Sequence, residues 1–93
     1  MLTVKQSHII QSVLAPFEPD YIGVFGSYAR GEQRADSDLD ILVKFGRRLT
    51  YFDLIDLEET LSKQLGLKVD LVTENALSPF FRENVLREMQ KIA

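Results

Sequence analysis

Residues 26–43 set the organisation of this chain, because they join a glycine-led turn to a strand that begins with closely spaced acids. The apolar and aromatic run 21–25 is typical of a strand and leads directly into Gly26 and Ser27. Residues 28–31 then predict one turn of a short helix closed by glycine. Backbone N–H groups at a helix start point outward and suit an anion, so this turn is a candidate phosphate-binding turn.

Two aspartates begin a second predicted strand, 37–43. Strand side chains alternate between faces, so Asp38 and Asp40 share one face and the apolar Leu39 and Ile41 share the other. Two ionised carboxylates held this close repel each other, and a shared proton or a bound cation relieves the repulsion. Mg²⁺ takes oxygen ligands from one or two carboxylates and from substrate phosphates. The two features together therefore predict a Mg²⁺-dependent site for a nucleoside triphosphate.

Asp70 adds a third carboxylate from a later predicted strand. An isolated strand aspartate could form only a salt bridge, but beside Asp38 and Asp40 it completes a metal-binding set. Arg30 follows the phosphate-binding turn and is a candidate for neutralising phosphate charge. A surface ion pair with Glu32 is an equally good interpretation of Arg30.

The remaining sequence predicts elements that would support this site. Apolar residues at helical spacing predict helices over 4–15, 51–65 and 79 to about 92, and a third strand covers 67–72. Thr50 and Ser78 are the predicted N-caps of the second and third of these helices, and Gly66 is the predicted stop of the second. No repeat or linker interrupts the sequence, so residues 1–93 are expected to form one domain.

Composition excludes several other classes of protein. The 93 residues contain 11 basic and 14 acidic side chains, a formal net charge of −3, so no basic excess favours non-specific nucleic-acid binding. The absence of cysteine excludes disulfides and thiolate catalysis. No apolar run approaches the ~18 residues of a membrane span, and no secretory signal is evident. We expect a cytoplasmic protein with neither nucleic acid nor membrane as a direct partner.

The combination of Gly26-Ser27, Asp38-Leu39-Asp40 and the later Asp70 resembles the signature of the DNA polymerase β-like nucleotidyltransferase superfamily. The fuller strings Gly-Ser-Tyr-Ala-Arg-Gly and Ser-Asp-Leu-Asp-Ile-Leu-Val are similar to those of its smallest members, the minimal nucleotidyltransferases. The resemblance covers nearly the whole chain. Proteins of this kind are usually the antitoxin half of a pair with a HEPN-domain ribonuclease toxin.

The resemblance implies an α+β fold, in which a small mixed sheet is flanked by helices. It implies that Asp38, Asp40 and Asp70 bind two Mg²⁺ ions and that Gly26 and Ser27 hold the triphosphate. The implied reaction moves a nucleoside monophosphate, typically AMP from ATP, to a hydroxyl, which in relatives belongs to a tyrosine of the toxin. The implied assembly is a hetero-oligomer with that toxin.

Other interpretations of the acids stay open at this point. Acids on an edge strand can serve only to discourage edge pairing, although that explains neither Gly26-Ser27 nor Asp70. A catalytically inactive nucleotidyltransferase fold could silence a toxin by binding alone. A receiver-type phosphoacceptor domain would need a longer array of alternating strands and helices, and a P-loop would need a Gly-Lys-Ser/Thr motif that the sequence lacks.

Overall fold

The structure is a computed structural model that describes residues 2–93. Its helices and strands, in chain order, are α1 (Val4–Leu14), β1 (Pro19–Phe25), α2 (Ser27–Arg30), β2 (Leu39–Phe45), α3 (Tyr51–Leu65), β3 (Val69–Thr73), α4 (Pro79–Glu88) and β4 (Gln90–Lys91). Single turns of 3₁₀ helix follow α1 and β3, at Ala15–Phe17 and Glu74–Ala76. None of the helices within residues 2–93 has the length and apolar character that a bilayer crossing requires.

The four strands form one mixed sheet in the order β3-β2-β1-β4. β1 is antiparallel to both β2 and β4, whereas β2 and β3 run parallel. The parallel pair is connected by α3, as parallel neighbours require a crossover between them. The predicted mixed sheet flanked by helices is confirmed.

The hydrophobic core lies between one face of the sheet and the helices α1 and α3. Its buried residues are Ile10 and Leu14 of α1, Leu57 and Leu61 of α3, and the strand residues Ile22, Val24, Leu39, Ile41, Val43 and Val69. Burying each of these side chains stabilises the fold by roughly 1.5–3 kcal/mol. In β2 the buried residues are the alternate positions Leu39, Ile41 and Val43. They fix the register of the strand, because a slip by one position would turn Asp40 toward the core.

The predicted N-caps of α3 and α4 and the predicted end of α3 are confirmed. Thr50 Oγ1 accepts a hydrogen bond from the Asp53 amide at 3.1 Å, and Asp53 Oδ2 accepts one from the Thr50 amide at 2.9 Å. Ser78 Oγ accepts from the Phe80 amide at 3.2 Å. Gly66 ends α3 at φ +70°, in the left-handed region that glycine adopts without a steric penalty.

The prediction that the last helix continues to about Ile92 is wrong, since α4 ends at Glu88. The outer edge of β1 needs hydrogen-bond partners, and the Ile92 amide donates to the Ile22 carbonyl at 2.8 Å. Met89 leaves the helix and packs against Gly23, where an added Cβ would lie 2.5 Å from Met89 Sδ. Ile92 still packs on the core, which explains why it matched the helical spacing.

Candidate active site

Two aspartates lie side by side at the end of the sheet where β1 ends and β2 and β3 begin. In the strand register, Phe25 is paired with Asp40 across β1 and β2, and Asp40 is paired with Asp70 across β2 and β3. Their neighbours Leu39 and Val69 are buried in the core, so alternation directs both aspartates to the opposite face. Adjacent strands lie about 4.8 Å apart, which places the two carboxylates within direct reach of each other.

The glycine turn closes directly onto Asp40. Gly26 has φ +72° and ψ −148°, a conformation that is essentially restricted to glycine. A Cβ at this position would lie 2.2 Å from Asp40 Oδ2. Ser27 then begins α2, and the Arg30 amide donates to the Gly26 carbonyl at 3.1 Å. The structure thus brings the predicted phosphate-binding turn and one predicted metal ligand together.

The electrostatic state of Asp40 follows from these neighbours. The pKa of Asp40 is raised from its ordinary value of 3.8 to about 6. Burial is the largest cause, followed by the negative charges of Asp70 and Asp38 and a hydrogen bond with Asp70. The positive charge of Arg30 lowers this pKa and only partly offsets them. Ionised Asp40 is therefore held against the negative charges of Asp70 and Asp38.

Asp38 lies near the pair but has a different partner. It precedes β2, and its Oδ2 lies 3.7 Å from Lys68 Nζ. Within residues 2–93, no three acidic, histidine or cysteine side chains are arranged so that they could hold one metal ion as they stand. Lys68 was not predicted as part of the site. Lys68 lies two positions before Asp70 in the sequence. In an extended chain this spacing places both side chains on the same face, which is the signal that could have indicated Lys68.

Arg30 forms ion pairs with two glutamates. Its Nε lies 3.1 Å from Glu32 Oε2, so the ion pair given as the alternative interpretation is present, and its Nη1 pairs with Glu88. Gln90 Nε2 also donates to the Ala29 carbonyl at 3.0 Å. The Arg30–Glu88 ion pair joins α2 to the end of α4, and the Gln90–Ala29 hydrogen bond joins α2 to the start of β4. No local pattern indicated them, because the Arg30–Glu88 pair spans 58 positions.

The loop between α2 and β2 is exposed and ends in a hydrogen-bonded turn. Arg34 and Asp36 are solvent-exposed. Ser37 Oγ accepts a hydrogen bond from the Arg34 amide at 2.7 Å. The Ser37 amide donates to the Arg34 carbonyl at 3.0 Å, so β2 begins at Leu39, two positions later than the predicted strand.

A family model described as a nucleotidyltransferase domain matches residues 7–92. The chain belongs to the nucleotidyltransferase family. It is similar to the protein adenylyltransferase MntA of Thermococcus cleftensis, with 42% identity over 97 residues that cover 96% of this chain and 95% of that protein. The resemblance predicted from the motifs is confirmed.

Solved structures share the fold of this nucleotidyltransferase. A chain in the crystal structure of a toxin–antitoxin complex with AMP-PNP superposes with a TM-score of 0.85 and 27% identity, covering 94% of this chain and 72% of that one. A chain in the complex of a tri-AMPylated Shewanella oneidensis HEPN toxin with an MNT antitoxin gives a TM-score of 0.78 and 23% identity, covering 96% and 70%. The second likeness concerns the fold alone.

The acidic groups of this nucleotidyltransferase suit a hard divalent cation. Asp40 and Asp70 offer oxygen ligands in register, and only a glycine at position 26 lets the turn approach Asp40 Oδ2 this closely. Mg²⁺ bound through one or two carboxylates completes its coordination with water and phosphate oxygens. Asp40 and Asp70 could therefore hold such an ion, and Asp38 is close enough for its charge to act on Asp40.

We expect Asp40→Asn to stabilise the metal-free protein at neutral pH. Because the folded-state pKa of Asp40 is raised above 3.8, its contribution to stability is fully present below about pH 4 and is lost as the pH rises through about 6. Ionised Asp40 therefore destabilises the folded state at pH 7.5. A pKa shift of this size corresponds to a change of about 3 kcal/mol in the free energy of unfolding. Because Asp40 is partly exposed to solvent, we expect an effect of about 1 kcal/mol.

Urea unfolding in the presence of EDTA measures this effect. The gain in unfolding free energy from Asp40→Asn should be near zero at pH 4 and should reach its plateau above pH 7. Asp36→Asn, which changes an exposed aspartate of the loop, is the matched control and should show no such pH dependence. An Asp40→Asn variant that unfolds at a lower urea concentration than the parent at pH 7.5 would contradict the expectation.

Proposed function

We propose that this nucleotidyltransferase transfers AMP from ATP to a hydroxyl group of a HEPN-domain toxin and thereby acts as an antitoxin. The observation that carries the proposal is the in-register pair Asp40 and Asp70, with the Gly26 turn closed against Asp40. Two comparisons support the choice of reaction. The similar protein from Thermococcus cleftensis is named a protein adenylyltransferase, and a structural neighbour is a toxin–antitoxin complex with AMP-PNP.

In this proposal Asp38, Asp40 and Asp70 hold two Mg²⁺ ions. Asp38 would exchange its contact with Lys68 for the cation, which carries twice the charge of an ammonium group. Mg²⁺ supplies positive charge at the attacking and leaving oxygens of a displacement at phosphorus. Gly26 and Ser27 bind the outer phosphates through backbone N–H groups and the hydroxyl.

Asp70 is proposed to act on the acceptor. The acceptor oxygen forms a bond to the α-phosphorus while the bond from that phosphorus to the bridging oxygen breaks, and pyrophosphate leaves with the electron pair. Asp70, at the sheet edge, orients the acceptor hydroxyl and takes its proton. Arg30 is proposed to contribute charge near the phosphates, which is supported by its lowering of the pKa of Asp40.

Exposed aromatic side chains support a protein partner. Phe80 and Phe81 at the start of α4 are 88% and 62% exposed, and Tyr51 and Phe52 at the start of α3 are 73% and 76% exposed. Aromatic residues are enriched at protein interfaces and are costly to leave in water. A partner that supplies its own tyrosine would also supply the acceptor of the reaction.

Incubation with a HEPN-domain toxin, Mg²⁺ and ATP labelled at the α-phosphate tests the proposal. We expect label on a tyrosine of the toxin, identified by mass spectrometry after digestion. Label should depend on Mg²⁺ and should be absent when ATP is labelled at the γ-phosphate instead. Toxin that remains unlabelled under these conditions, while bound to the nucleotidyltransferase, would contradict the proposal.

A catalytically inactive antitoxin that acts by binding alone is the second candidate. The Asp38–Lys68 contact favours it, since the three aspartates do not form one metal-binding group as they stand. Co-expression of the toxin with the Asp40→Asn variant separates the two in cells. Loss of protection indicates catalysis, whereas protection equal to that of the parent chain indicates that binding is sufficient.

A further inference from the structure

β3 is an edge strand whose outward peptide groups contact side chains of α3. It pairs with β2 on one side only, so its outward N–H groups need other partners. The Leu71 amide donates to Glu58 Oε2 at 2.8 Å, and the Val69 amide donates to Ser62 Oγ at 3.1 Å. These two amides flank Asp70 on either side. Two side chains of one helix therefore hold the backbone that carries Asp70.

The two side chains are themselves fixed. Ser62 Oγ donates to the Glu58 carbonyl at 2.8 Å, which leaves its lone pairs directed at the Val69 amide. Glu58 and Ser62 are one helical turn apart and so project from the same side of α3. Leu57 and Leu61, the residues preceding each of them, are buried in the core and prevent the helix from rotating. The contact thus connects the rigid core to the sheet edge.

We propose that Glu58, assisted by Ser62, is a positioning residue for Asp70. This inference rests on the proposed function, in which Asp70 binds Mg²⁺ and orients the acceptor. A carboxylate that accepts from a backbone amide forms a charge-assisted hydrogen bond, stronger than one between neutral groups. Asp70 lies on a strand without a second neighbour, so its position depends on this bond more than the position of Asp40 in the centre of the sheet.

Kinetics of Glu58→Ala, Glu58→Gln and Glu59→Ala with the full chain and its toxin test the role. We expect Glu58→Ala to lower kcat by about 10- to 100-fold, as loss of an outer-shell partner does at other metal sites. KM for ATP should stay within about twofold, because the triphosphate is held at the Gly26 turn rather than at β3. Glu58→Gln keeps an acceptor oxygen and should recover most of kcat. Glu59→Ala changes an exposed neighbour and should match the parent.

Two measurements without ATP keep the inference testable if the chain transfers no AMP. In the metal-free protein, the Leu71 amide should exchange with deuterium faster in Glu58→Ala than in Glu59→Ala. Mn²⁺ binding followed by electron paramagnetic resonance should be weakened about 10-fold in Glu58→Ala alone. Absence of transfer by the parent chain would refute the proposed function, whereas these two results decide the role of Glu58 separately.

The inference is overturned if Glu58→Ala equals Glu59→Ala in kcat and in Mn²⁺ affinity, or if Glu58→Gln is as impaired as Glu58→Ala. Should Glu58→Ala fail to fold, Ser62→Ala replaces it. That variant removes the hydrogen bond from the Val69 amide, together with the one that Ser62 Oγ donates to the Glu58 carbonyl, and leaves the Glu58 side chain in place. It should give a smaller loss of kcat with unchanged KM for ATP. Parental kcat and Mn²⁺ affinity in a folded Ser62→Ala would then overturn the inference.

Discussion

Asp40→Asn is expected to lower AMP transfer by at least about 100-fold. Substituting an outer-shell partner already costs about 10- to 100-fold, and Asp40 is proposed as a direct ligand. Asp40 lies between Asp70 and the Gly26 turn, so no other carboxylate can take its place. An asparagine of the same shape keeps the packing but removes the negative charge that holds the cation.

The comparison with two other aspartates makes this expectation specific. Asp38→Asn should give a smaller loss, since Asp38 is 40% exposed and already shared with Lys68. Asp36→Asn should leave transfer unchanged, because Asp36 is an exposed loop residue. Initial rates of labelled AMP transfer at saturating ATP and Mg²⁺ measure the series. Equal losses in Asp36→Asn and Asp40→Asn would show that overall charge, rather than this position, governs the rate.

The three predicted metal ligands, Asp38, Asp40 and Asp70, show how far local sequence predicts such a site. The pairing of Asp40 with Asp70 could be anticipated, because strand alternation and the parallel crossover bring two strand starts together. The contact of Asp38 with Lys68 could not, since it depends on where β2 begins. That start is fixed by the turn at Ser37, whose hydroxyl accepts from the Arg34 amide. Short hydrogen-bonded turns of this kind shift a strand boundary without changing the hydrophobic pattern.

The predicted end of α4 is wrong because pairing with a strand distant in sequence decides where the helix ends. Met89 and Ile92 match helical spacing, yet the free edge of β1 recruits this segment as β4. Helical propensity contributes only tenths of a kcal/mol per residue, so backbone pairing and burial against Gly23 override it. The early end of α4 also affects the site, because it places Glu88 beside Arg30. Interactions across 58 positions leave no local trace in the sequence.

Gly26→Ala is expected to abolish transfer and to destabilise the fold, whereas Gly31→Ala should leave transfer nearly unchanged. Both glycines have φ +72°, but Gly26 has ψ −148°, where a side chain costs roughly 1–3 kcal/mol. An alanine Cβ there would also lie 2.2 Å from Asp40 Oδ2, so either the turn or the carboxylate must move. A displacement of about 1 Å at a catalytic group is sufficient for a 100-fold loss of rate.

Gly31 supplies the matched control for backbone strain. It adopts the left-handed helical region with ψ 22°, where alanine costs roughly 1–2 kcal/mol, and no atom lies within 4 Å of the position of its Cβ. Urea unfolding and labelled transfer, both at a temperature where each variant is folded, separate stability from catalysis. Loss of transfer in Gly26→Ala with retention in Gly31→Ala would assign the effect to the contact with Asp40. Equal retention in both would mean that the turn need not close onto the acids, and the phosphate-binding role of Gly26 and Ser27 would be refuted.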